Sequence, residues 1–169
     1  MKKKLIYFIT LFTMTLLAQN NIYDIALTDI ENNPINLNNF KGKYILFVNV
    51  ASYCGYTNQY SDLQKLHEKY DELEVIGLPC NQFLFQEPFS EDSIKEFCSL
   101  NYGINFIMTS KINVKGSNQH DLYKWLTNKN LNGSKSSSVK WNFQKYLVGK
   151  DGELIDVFYS KTLPLSKEI

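Results

Sequence analysis

Residues 44–79 constrain the fold more than any other part of the chain. Tyr44-Ile-Leu-Phe-Val-Asn-Val50 is an almost unbroken apolar, β-branched run. Such a run predicts a strand buried on both faces. Gln59 to Tyr70 carries Leu63, Leu66, His67 and Tyr70 at i, i+3, i+4 and i+7, which predicts an amphipathic helix. Glu74-Val-Ile-Gly-Leu78 is a second apolar strand, closed by Pro79. Strand, helix and strand at this spacing form a βαβ unit, so the two strands should run parallel with a right-handed crossover. Their carboxyl ends then lie on one edge of the sheet, where α/β proteins present their ligand sites.

The flanking segments complete the layout. Residues 22–40 alternate in places and break at Glu31-Asn-Asn-Pro34, a short N-terminal hairpin. Ser90-Glu-Asp92 starts a helix, with Ser90 as N-cap and the acids suited to the dipole. Ile94, Phe97 and Cys98 share its apolar face. Residues 104–114 are strand-like in part, a further helix is expected over Gln119 to Thr127, and 128–138 reads as polar loop. YLVGKDGELIDVF places two strand runs around Lys150-Asp-Gly152, a C-terminal hairpin signal. The expected architecture is α/β and thioredoxin-like: a central mixed sheet, helices on both faces, and a hairpin at each end.

The first residues stand apart from this domain. Lys2, Lys3 and Lys4 precede a largely apolar run, Leu5 to Ala18. The run is short for a bilayer span and predicts a secretory signal peptide over 1–18, cleaved after Ala18. An uncleaved anchor is the alternative. The domain is then 19–169, exported to a periplasmic or extracellular location.

Charge narrows the partners. The 169 residues carry 18 basic and 17 acidic side chains, a balance that argues against nucleic acid. All the basic residues are Lys, so bidentate Arg recognition of carboxylate or phosphate is excluded. No cofactor is implied. A metal site is poorly supported, because there is no C-x-x-C and His67 and His120 lie in separate segments.

Three cysteines remain: Cys54, Cys80 and Cys98. An odd count in an exported chain leaves at least one thiol unpaired. Cys54 follows the first parallel strand and Cys80-Asn-Gln82 follows the second, so topology brings both to the same sheet edge. Cys54 also lies near the start of the next helix, whose amides and dipole favour a thiolate and should lower its pKa. The alternative is a small buried packing residue, the common fate of a free cysteine.

"NVASYCGYTNQY", "GLPCNQF", "QEPFSEDSIKEFC" and "VKWNFQKYLV" occur in that order. Together they resemble the glutathione peroxidase family in its cysteine-containing, non-selenium branch, from about Ile22 onward. The resemblance implies a peroxidase whose peroxidatic residue is Cys54, with Gln82, Trp141 and Asn142 as its catalytic companions. It implies that Cys98 is the resolving thiol, that Cys80 is structural, and that the substrate is hydrogen peroxide or an organic or lipid hydroperoxide. The chemistry fits those residue types. A thiolate attacking a peroxide needs stabilisation before attack, and the departing oxygen needs a proton. Neutral amide and indole N–H groups serve without adding charge.

Each companion has a plainer alternative. Gln82 can be a turn residue after Pro79, Trp141 a core residue, and Asn142 a polar residue at a strand entry. Neighbours in a regular strand face opposite ways, so Trp141 and Asn142 both reach Cys54 only if the backbone there is irregular. Cys98 can simply pack with Ile94 and Phe97. A Cys54–Cys98 disulfide requires the helix near Cys98 to loosen, because the two cysteines start separate elements.

The absence of Arg and the presence of Cys98 favour a thioredoxin-like protein over glutathione as reductant. The short 128–138 stretch lacks the insertion of tetrameric relatives and implies a monomer. Where the family often has Gly after "NQF", this chain has Leu84 and Phe85, a more apolar rim that favours lipid or alkyl hydroperoxides. "PLSKEI" resembles the beginning of the family's final helix. The competing reading is an exported thiol–disulfide carrier of the same fold, which normally needs C-x-x-C; Thr57 stands in the second position.

Overall fold

A computed structural model describes residues 21–169. The expected signal peptide over 1–18 lies outside the described residues. Five strands form the main sheet: β3 (Tyr44–Val50), β4 (Leu73–Pro79), β5 (Ile107–Met108), β6 (Lys145–Val148) and β7 (Leu154–Phe158). Their order is β5-β4-β3-β6-β7. β3 and β4 are parallel, with Tyr44 opposite Leu73 and Val50 opposite Pro79, and β4 and β5 are also parallel. β6 runs antiparallel to β3 and β7 antiparallel to β6. The sheet is therefore mixed, as expected. The N-terminal hairpin is β1 (Leu27–Thr28) against β2 (Pro34–Ile35), with short 3-10 turns at Ile22–Asp24 and Leu37–Phe40.

The helices are α1 (Gln59–Lys69), α2 (Glu91–Tyr102), α3 (Asp121–Thr127) and α4 (Lys129–Asn132). Strand alternation divides the core between the two faces of the sheet. Ile45 and Phe47 of β3 pack with Leu122, Tyr123 and Leu126 of α3. Leu46, Val48 and Val50 pack with Leu63 and Leu66 of α1 and with Ile94 and Cys98 of α2. Because β3 is buried on both faces, its continuous apolar run has no solvent side to alternate toward. Ser90 caps α2 through its Oγ, which accepts from the Ser93 N–H, and Gly103 ends the helix at φ +61.

Three expectations shift. The buried stripe of α1 is Gln59, Tyr60, Leu63, Gln64 and Leu66, whereas Tyr70 lies past the helix and is exposed. Gln64 is tolerated inside because its amide is satisfied by Glu68 and Asn105. The polar 128–138 stretch contains α4, capped by Asn128, whose side chain accepts from the Asn130 N–H. α3 starts at Asp121 rather than Gln119, because His120 Nδ1 takes the Leu122 N–H and caps the helix there.

Candidate active site

The carboxyl ends of β3 and β4 meet where the topology requires: the Cys80 N–H donates to the Val50 carbonyl at 3.0 Å. Beyond Val50 the chain enters a tight turn instead of going directly into a helix, and α1 begins only at Gln59. Thr57 organises that turn. Its Oγ1 accepts the Cys54 N–H at 3.0 Å and lies 2.7 Å from the Cys54 carbonyl and 2.9 Å from the Ala51 carbonyl. The Thr57 N–H closes the turn on the Cys54 carbonyl. The hydroxyl thus supports the backbone where a dithiol motif would carry its second cysteine. Cys54 is 8% exposed, and the Tyr56 N–H points to its Sγ at 3.5 Å. The amide that faces the sulfur thus lies just ahead of α1, which starts at Gln59 as anticipated from sequence.

The other residues singled out from sequence surround this turn in different ways. Trp141 and Asn142 sit in an irregular turn ahead of β6, and Phe143 there has φ +62, a left-handed conformation. This is the departure from strand geometry needed to use both neighbours. The half-buried Trp141 packs against the apolar cluster containing Cys54 and against the Phe83 ring, at 5.5 Å between centroids. Asn142 is fully buried. Its Nδ2 donates to Gln86 Oε1 at 3.0 Å, and its Oδ1 accepts from Asn49 Nδ2 at 3.5 Å.

Gln82 faces elsewhere. Its Oε1 accepts the Val114 and Lys115 N–H groups at 2.7 and 3.1 Å, and its Nε2 donates to the Lys115 carbonyl at 2.9 Å. The amide is thus bound to the 114–115 backbone.

All three thiols are free and buried. Cys98 lies on the inner face of α2, beside the Tyr60 hydroxyl, which makes no hydrogen bond of good geometry. Burial pushes the Cys98 thiol up to about 11; the Tyr60 hydroxyl partly offsets this and the nearby Glu87 carboxyl adds to it. Burial likewise raises Cys80, whose Sγ accepts the Gln82 N–H at 3.5 Å.

Sequence reasoning gave no structural role to four polar residues that hold the site together. Thr57 is one. Asn49, buried in β3, donates its Nδ2 to the Trp141 carbonyl at 3.1 Å, and its own carbonyl accepts the Phe143 N–H. Gln86 joins two segments: its carbonyl accepts the Tyr53 N–H at 2.9 Å and its side chain accepts from Asn142. Glu87 is fully buried, with Oε2 taking the Ser52 hydroxyl at 3.1 Å and Oε1 without a partner. Burial pushes its carboxyl up to about 7, although hydrogen bonding from Ser52 and the charge of Lys111 oppose the rise. A signal for Glu87 was present, since it is the one charged residue between Glu74 and Ser90.

The rim is apolar. Tyr53, Leu84 and Phe85 are 59%, 76% and 79% exposed, and Tyr53 stacks at an angle on Phe89 with centroids 5.0 Å apart. Leu84 and Phe85 adopt φ +51 and +55, the region glycine enters at least cost.

The glutathione peroxidase family profile matches residues 22–127. The turn holding Trp141 and Asn142 lies beyond that stretch, but full-length relatives extend across it. A glutathione peroxidase of Lactococcus lactis is 42% identical over 150 residues, covering 88% of this chain and 95% of the relative. A hydroperoxy fatty acid reductase of Synechocystis is 39% identical over 160 residues, covering 89% and 94%. Among solved structures, a thioredoxin-like protein from Aeropyrum pernix matches with a TM-score of 0.56 at 20% identity, covering 82% of each chain, which establishes the thioredoxin-like fold. The profile covers more than half of the chain and the relatives nearly nine-tenths of it: the chain belongs to the glutathione peroxidase family and is a peroxidase.

Proposed function

We propose that the protein reduces hydroperoxides through Cys54 and resolves the product through Cys98. The Cys54 thiolate attacks one peroxide oxygen; an S–O bond forms and the O–O bond breaks. The departing oxygen takes up a proton and leaves as water or an alcohol, with Cys54 as the sulfenic acid. The Cys98 thiolate then attacks that sulfur, the S–S bond forms, and hydroxide leaves and is protonated to water. A dithiol protein of thioredoxin type returns the two electrons. The observation that carries this reading is the Tyr56 N–H aimed at Cys54 Sγ, a fixed donor for a thiolate at the carboxyl end of a parallel strand. Trp141 and Asn142 are the companions proposed to stabilise the oxygen. Gln82 joins them only after its amide releases the Lys115 carbonyl.

The apolar rim of Tyr53, Leu84 and Phe85 supports alkyl and lipid hydroperoxides as substrates beside hydrogen peroxide. The name of the Synechocystis relative points the same way. The lack of Arg supports a protein reductant over glutathione. A monomer exported by the 1–18 leader remains the proposed state. The thiol–disulfide carrier is disfavoured because Thr57 occupies the second-cysteine position and its hydroxyl is used within the turn.

Peroxide added to the reduced protein tests the reading. Cys54→Ser should consume none. Cys98→Ser should reduce one equivalent and then stall with thioredoxin. Steady thioredoxin-driven turnover of Cys98→Ser would remove Cys98 from the cycle, and peroxide consumption by Cys54→Ser would remove Cys54.

A further inference from the structure

Glu87 is set deep beside the Cys54 turn and has no part in the chemistry described above. Its backbone N–H is held by Asn81 Oδ1 at 2.9 Å, so the residue cannot swing out without breaking the 80–89 loop. The hydroxyl of Ser52, two residues ahead of Cys54, donates to Oε2 and the Ser52 backbone N–H also acts on the carboxyl, while Oε1 is buried with no partner of good geometry among the described residues. The groups around it offer an anion little help. Cys80 at the end of β4, Tyr60 on α1 and Cys98 on α2 each feel its charge as a repulsion. Lys111, after β5, is the cation that acts on it, but its Nζ donates to the Phe89 carbonyl. A buried carboxylate with an unpaired oxygen and no cation in contact is costly, and the proton removes that cost.

We propose that Glu87 is a positioning residue for the Cys54 turn: protonated, it stays in its buried place against Ser52 with the turn closed, and ionised, it is drawn toward water and takes the turn with it, so that Cys54 can leave its pocket. The role deepens the Cys54–Cys98 reading and rests on it, because disulfide formation is the step that needs Cys54 or α2 to move. The proton goes to solvent on opening and returns on closing, so no redox partner is involved.

The direction of the pH effect follows from linkage. The closed state binds this proton more tightly than an open state in which the carboxyl is solvated. Closure is therefore fully supported below the ordinary glutamate value of 4.5 and is lost as pH rises to about 7. Opening should increase with pH across that window, by up to about tenfold per pH unit, and level off above it.

Amide hydrogen exchange on the reduced full chain tests this, as protection factors for residues 51–57 between pH 5 and pH 8. In the wild type, protection should fall by an order of magnitude or more from pH 5 to 7 and then flatten. In Glu87→Gln it should not vary with pH. Ser52→Ala removes one donor that favours the anion while leaving the carboxyl buried, so its protection should go on falling to a higher pH before it flattens, which keeps the test open if Glu87→Gln fails to fold. After one equivalent of hydrogen peroxide, the logarithm of the disulfide-forming rate should rise with a slope near two below pH 7 in the wild type and near one in Glu87→Gln. Constant wild-type protection, the same fall in Glu87→Gln, or an unshifted profile in Ser52→Ala overturns the role of Glu87. If Cys98→Ser instead turns over steadily with thioredoxin, the disulfide reading falls while the exchange profile still decides about Glu87.

Discussion

Cys54 and Cys98 are both buried thiols on the same side of the sheet, yet their surroundings are opposite in kind. Cys54 sits in a turn with no regular backbone ladder, so side chains and single amides do the holding: Thr57 fixes its backbone and the Tyr56 N–H faces its sulfur. Cys98 sits in a regular helix whose backbone is satisfied internally, and its sulfur meets a phenol and, further off, a carboxyl. A donor at the sulfur favours the thiolate; burial near an acid disfavours it. Burial alone therefore does not decide which cysteine is reactive. The irregular backbone matters because it frees an N–H to point at sulfur.

The two thiols should differ most in alkylation. With iodoacetamide at pH 7, mass spectrometry of the reduced protein should find Cys54 modified on the order of a hundredfold faster than Cys98, whose thiol is pushed up to about 11. Equal rates would break the contrast. Thr57→Val tests the turn itself. It keeps the shape but orphans the Cys54 N–H, and should cost about 1–3 kcal/mol in urea unfolding while slowing peroxide reduction. A silent Thr57→Val would mean the turn holds without its hydroxyl. The smallest effect is expected at the rim. Phe85→Gly relieves a left-handed backbone but adds freedom to the unfolded chain, a net gain below about 1 kcal/mol. Its sharper readout is KM, which should rise for a long-chain hydroperoxide and stay level for hydrogen peroxide.

The frame of the site was legible because long-range geometry follows from simple patterns. Two apolar runs flanking one amphipathic helix were enough to bring residues 54 and 80 to one sheet edge, and the hydrogen bond from Cys80 to Val50 now marks that meeting. The need for an irregular backbone at Trp141 and Asn142 was legible too, because strand alternation forbids the alternative. The polar fastenings were not. Asn49, Gln86 and Glu87 act through hydrogen bonds between segments distant in sequence and Thr57 through bonds inside its own turn, and periodicity carries no trace of either. α4 was missed for a related reason: four residues are too few to show a helical period, and Asn-rich sequence reads as loop until its cap is seen. The orientation of Gln82 depends on where residues 114–115 pass, which is set by the chain after β5 and not by the motif around Gln82.

Lys145 of β6 is fully buried, and burial lowers its pKa to about 7. Its Nζ donates at 2.8 Å to the carbonyls of Phe143 and Thr162, and Ser160 Oγ donates to the Asn142 carbonyl at 2.6 Å. These tethers make residues 160–162 a strut for the turn that carries Trp141 and Asn142. A protease nick or a bulky tag near residue 160 would therefore be felt inside the pocket, although none of the altered atoms lies within it.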